Sequence, residues 1–169
     1  MPATVSVNFR TVVHQSSNGL SMAFPDVCKT PAPPAPFVPI PYPNIAMSSD
    51  TASGSSQVKC DGNPVCIQGS NFSKSSGDEA GSIGGVVSSC IQGKAEFVNY
   101  SFDVQIEGKG TCRLADLLLH NKGGGPNTPP FPLIQPPSPP GVFVDDPTEE
   151  DNALEEIAFD DGDITEDEP

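Results

Sequence analysis

The chain has no tryptophan, two histidines, two tyrosines and only eight lysines and arginines in 169 residues. So few bases cannot line a phosphate-holding groove, and the sequence reads against a nucleic-acid partner. No apolar run nears the ~20 residues of a membrane helix, which reads against stable membrane insertion. Residues 1–10 lack the apolar core of a secretory signal, so the expectation is synthesis in the cytoplasm without a signal peptide. Also missing are a Gly-x-Ser-x-Gly elbow, a phosphate-binding glycine loop and a His-Glu-x-x-His helix. The run Ser75-Ser76-Gly77-Asp78-Glu79 offers a serine and carboxylates but no neighbouring base, and reads as a turn. On these grounds the chain is expected not to be an enzyme, with no catalytic and no cofactor-binding residues.

The charge is unevenly spread. Thirteen of the 22 acids lie in residues 143–169 with no lysine or arginine among them, which leaves nine acids against eight bases in residues 1–142. A near-neutral body with an acidic tail is therefore expected, the tail disordered or folding only on a partner. Within it, Leu154, Ile157 and Ala158 could form one apolar helical face.

Proline and glycine are abundant, at 20 and 16 residues. Residues 26–50, DVCKTPAPPAPFVPIPYPNIAMSSD, hold seven prolines, which rule out a helix and a central strand. The apolar Phe37, Val38, Ile40, Tyr42 and Ile45 between them predict an ordered strap lying on a β body rather than a free linker. A second proline-rich run, residues 123–142, opens on three glycines and reads as an extended spacer.

Elsewhere the pattern is short strands and turns. Residues 4–13 alternate as one half-buried strand, and residues 97–106 do so most clearly. Asp61-Gly62 and Glu107-Gly108 mark hairpin turns. A helical turn is expected over 114–120, where alternation stops. The fold class is all-β, with a body over residues 1–122.

Cys28, Cys60, Cys66, Cys90 and Cys112 are odd in number and never spaced Cys-x-x-Cys, which fits a disulfide framework poorly. Two readings remain for His14, Cys28, Cys112 and His120. Two imidazoles and two thiolates suit tetrahedral zinc, and the same residues also read as buried cysteines and ordinary histidines.

The motifs PDVCKTPAPPAPFVPIPYPNIAMSSD (25–50), GSNFSKSSGDEAGSIGGVVSS (69–89), GKAEFVNYSFDVQIEGK (93–109) and CRLADLLLHN (112–121) resemble the Tox-PAAR-like family of bacterial contractile injection systems. The resemblance spans about residues 5–122. It implies a small β-rich, non-enzymatic tip that caps and sharpens a trimeric VgrG-like spike, one copy per trimer, in a type VI secretion or phage-tail-like apparatus. It further implies delivery outside the cell or into a target cell, and a zinc ion held by histidines and cysteine. The Pro-Ala-Ala-Arg tetrapeptide is missing here, and with two histidines the thiols would have to complete a zinc set. A toxin-associated enzyme, and a partner-binding module acting through the proline-rich and acidic segments, are the rival readings.

Overall fold

The structure is a computed structural model that describes residues 3–137. The expected acidic tail, residues 143–169, and the end of the second proline-rich run lie outside the described residues.

The chain opens with a two-stranded hairpin, β1 (Ser6–Val7) and β2 (Arg10–Thr11). Next come two 13-residue strands, β3 (Leu20–Ala32) and β4 (Ala35–Met47), paired antiparallel from Leu20↔Met47 to Ala32↔Ala35. A 3-10 turn at Ser48–Asp50 leads to β5 (Thr51–Ala52). A second tight hairpin follows, β6 (Lys59–Cys60) and β7 (Asn63–Pro64). Four pieces then run to the third: β8 (Asn71–Phe72), β9 (Gly84–Gly85), β10 (Lys94–Phe97) and β11 (Gln105–Ile106), the last paired with β12 (Lys109–Gly110). The described chain ends with β13 (Leu117–Lys122) and β14 (Phe131–Ile134).

The main sheet has the order β4-β3-β14-β13-β10-β8-β5, with β9 paired to β3 beside Cys28 and Lys29. The expected proline strap is thus one arm of a long hairpin, and β4 lies at the sheet edge. Ile45 exchanges both backbone bonds with Ser76, away from β3, so odd-numbered residues of β4 turn their N–H outward. Pro39, Pro41 and Pro43 share that parity, so the ring nitrogens fall where no ladder donor is needed.

The second proline-rich run corrects the spacer reading. β14 sits between β3 and β13, with Leu133↔Ser21 and Leu118↔Phe131 in register. Gln135 then donates to the carbonyls of Thr11 (3.1 Å) and Val12 (2.9 Å) and accepts the Ser17 hydroxyl (3.0 Å). Prolines flank this strand, but Leu133 is fully buried and anchors it.

Three further expectations change. Residues 4–13 are a hairpin, not one strand, because Asn8 and Phe9 both take positive φ. In residues 97–106 the strand stops at Phe97, since Asn99, Ser101 and Asp103 turn their side chains onto backbone or other side chains instead of continuing a ladder. The helical turn expected over 114–120 is instead a loop leading into β13, which pairs with β10 and β14.

A threefold internal repeat joins the small hairpins. Each turns through two consecutive positive-φ residues: Asn8-Phe9, Asp61-Gly62 and Glu107-Gly108. This is the geometry whose twist suits a two-residue hairpin. After each hairpin the backbone meets its counterparts in a closed cycle: Val13 N–H donates to Cys112 (3.2 Å), Cys112 N–H to Cys66 (3.0 Å) and Cys66 N–H to Val13 (2.8 Å). One turn on, Ser17, Ser70 and Asp116 each accept the backbone N–H three residues earlier, at 3.3, 2.8 and 2.7 Å.

Val13, Cys66 and Cys112 are also part of the apolar core, with Phe72, Ala95, Phe97, Leu118 and Leu133. Phe72 and Phe97 meet edge to face at 5.5 Å. Around this core many buried side chains are polar, including Asp26, Asn44, Asp78, Asp116, His120 and Asn121. Every one of the buried side-chain N and O atoms among the described residues has a hydrogen-bond partner. The fold is all-β, as expected, and its interior is specified by hydrogen bonds as much as by apolar packing.

Candidate docking surface and metal centre

The repeat ties the three hairpins together by equivalent contacts in a closed cycle. Thr4 donates to Asp61, Gln57 N–H to Glu107 (2.7 Å) and the Asn8 amide to Asp103 (2.9 Å). Each hairpin turn is therefore tied to the strand leading into a neighbouring hairpin, closing a ring. Thr4 holds the Asp61 carboxyl below the usual carboxylate range. Val5, Val58 and Val104, equivalent in the three repeats, are exposed at 38%, 39% and 36%.

Phe9 breaks the equivalence. Its counterparts are Gly62 and Gly108, yet it holds φ +62 with its ring fully in solvent. A bulky residue in this region is strained, and strain without packing in return points to a functional role. Phe102, also largely exposed, lies on the turn whose Ser101 and Asp103 bond Asn8.

The four residues expected to share zinc do not come together. His14, at the first repeat, bonds Asp61 through Nε2 (3.1 Å) and Ser16 through Nδ1 (3.2 Å). Cys112 lies in the threefold core, where burial first, and then Cys66, push its thiol far up. His120 is fully buried between Ser21 (2.9 Å at Nε2) and Asn44 (3.2 Å at Nδ1), and burial pushes its pKa down to about 4. Its neutral ring fits a hydroxyl donated to Nε2 and Nδ1–H donated to the Asn44 carbonyl.

Cys28 belongs to a different group. Among the described residues, the one cluster of three or more His, Cys, Asp or Glu side chains close enough to share an ion is Asp26, Cys28 and Asp78. Their ligand atoms lie within 4.8 Å of one another, and all three residues are buried. Cys28 Sγ lies 3.6 Å from Asp26 and 3.9 Å from Asp78. Asp26 accepts the amides of Asn44 (2.7 Å), Asn121 (3.3 Å) and Asn127. Burial, then the two carboxylates, pushes the Cys28 thiol up to about 12; burial raises Asp78 to about 6 against the opposing Gln92 N–H. Sequence reasoning missed both aspartates, which stand in a proline strap and a glycine loop without any metal spacing.

A small β body with a proline hairpin and three matched turns defines the class. Residues 19–129 match the family model described as the Toxin PAAR-like domain, and the chain belongs to that family. Over 142 residues it is 40% identical to the DNase toxin Tse7 of Pseudomonas aeruginosa, a match covering 79% of this chain and 37% of that one. The chain thus spans little more than a third of that relative's length. No solved structure matches the chain.

The relative overturns the expectation that the chain is not an enzyme, because it is named for a DNase activity. Missing short motifs exclude only the chemistries that those motifs carry. Among the described residues, no helix is long and apolar enough to cross a membrane.

Proposed function

We propose that this chain is the spike-associated part of a toxin delivered by a type VI secretion apparatus. It seats as one copy on the end of a trimeric VgrG-like spike. The observation that carries this reading is the pseudo-threefold ring: three like hairpins give a single chain a surface that a threefold partner can meet three times. Val5, Val58 and Val104 supply equivalent apolar contacts, and Phe9 one unmatched anchor. Membership of a toxin family and the name of the Pseudomonas relative support the toxin association, with DNA as the substrate class of the toxin. On this reading the protein reaches the target cell with the spike.

Two measurements test it. Co-purification with a spike protein from the same genome, sized by native mass spectrometry, should give one copy per three spike chains. Expression of the full chain in a sensitive host, with chromosomal DNA followed by electrophoresis, tests the nuclease association. A protein that binds no spike trimer and leaves DNA intact would refute both halves.

A further inference from the structure

We infer that Asp26, Cys28 and Asp78 form a binding site for one divalent cation of the zinc class, which staples β3 to the loop beginning at Asp78. The donor set suits that ion. Zinc takes thiolate and carboxylate ligands together, whereas calcium and magnesium take oxygen alone.

The electrostatics of the site call for a cation. Asp26 and Asp78 are both fully buried, and among the described residues neither forms an ion pair. Asp116, buried to the same degree, faces Arg10 at 3.2 Å and Arg113 at 3.3 Å. Buried carboxylates ordinarily have such partners or hold a metal.

Hydrogen positions lead to the same place. Cys28 has one S–H, yet its sulfur approaches acceptors on both aspartates. A thiol can serve only one of them. The Asn121 and Asn127 amides also point at the sulfur, each at 3.8 Å, so the surroundings supply donors to a thiolate as well as two carboxylates beside it. Apart from its own backbone, Asp78 draws a single N–H, that of Gln92, divided between its two oxygens at 3.1 Å each. A carboxylate has about four acceptor positions, so this fully buried group is left with acceptor capacity directed at the sulfur.

The backbone is also shaped around the thiol. A Cβ at Gly81 would lie 2.2 Å from the Cys28 Cβ, so the loop presses on Cys28 at a distance only glycine allows. With Cys28 fully buried, the ion enters as the chain folds, and its binding energy adds to folding energy. The site differs from the His14, Cys28, Cys112 and His120 set in every ligand but one, and it stands whether or not the chain seats on a spike.

The test uses the full chain carrying Cys60→Ser, which removes a half-buried thiol that could bind metal nonspecifically. The protein is unfolded in chelator and refolded with zinc, with cobalt(II), or with neither. The expected result is one metal per chain and a higher melting temperature in zinc. Cobalt should show thiolate-to-metal charge-transfer absorption that Cys28→Ser abolishes and His14→Gln leaves in place. Asp78→Asn should weaken zinc retention by roughly tenfold or more. Folded protein without metal overturns the proposal, as does metal that both Cys28→Ser and Asp78→Asn retain. Should Cys28→Ser not fold, the unsubstituted Cys28 decides alone: bound cobalt lacking the thiolate band is equally fatal.

Discussion

Gln57 donates its backbone N–H to Oε1 of Glu107 at 2.7 Å, tying the lead-in of the second hairpin to the turn of the third. Thr4 and Asp61 repeat the relation between the first and second, and Asp103 and Asn8 between the third and first. Three different residue pairs thus perform one task, and the ring they close joins the three hairpins that carry the exposed valines.

Placing a charge on that ring should break docking without breaking the fold. Val58→Lys changes a side chain 39% exposed, so its melting temperature should move little while spike co-purification is lost. The same change at Val86, exposed in the loop beside β9, should leave the complex intact. Equal loss in both variants would mean the ring is not the docking surface.

Phe9 offers a sharper separation of stability from binding. Glycine at this position removes the positive-φ strain, and Phe9→Gly should gain about 1 kcal/mol in urea unfolding. The same variant should bind the spike more weakly, because an exposed aromatic anchor is gone. A destabilised Phe9→Gly protein would show that the ring is held for packing instead.

His120 should make stability fall in mild acid. Its folded pKa, about 4, lies below the ordinary value of 6.5, so the unfolded chain takes up a proton that the folded chain refuses. Stability from this group is whole above pH 6.5 and is lost as pH falls toward 4, by about 3 kcal/mol at most. His120→Gln should be less stable at pH 7 yet lack this slope, as chemical unfolding at pH 7 and pH 4.5 would reveal.

The proline-rich end of the body can be tested by truncation. A chain ending at Pro137 should keep a cooperative unfolding transition. One ending at Gly123 loses β14 from between β3 and β13 and should not fold. Within the longer chain, Gln135→Ala should cost roughly 1–3 kcal/mol, since it removes the bonds to the Thr11 hydroxyl and to the Thr11 and Val12 carbonyls, and the one accepted from Ser17.

Much of the outline was legible in the sequence, and the reasons divide by interaction range. The prolines at 39, 41 and 43 fix local geometry, so the extended edge could be read directly. Asp61-Gly62 and Glu107-Gly108 announce their turns, whereas Asn8-Phe9 makes the same turn against residue preference and read as strand. The repeat stayed hidden because its roles pass between unlike side chains, serine at 17 and 70 but aspartate at 116. β14 was read as spacer because its place depends on partners 13 and 112 residues away, Leu118 for Phe131 and Ser21 for Leu133. The Asp26, Cys28 and Asp78 group was invisible for the same cause: the loop that delivers Asp78 is fixed by Gly81 pressing on Cys28.

The prolines of β4 have an effect beyond shaping the hairpin. An open sheet edge is ordinarily a template, offering alternate donors and acceptors to any extended chain that drifts past. Along residues 39–43 the donor half of that template is missing from the covalent structure, because ring carbons stand where hydrogens would be. Copies of this protein crowded side by side find no donors there to complete a ladder, and a change of pH, salt or concentration cannot restore them.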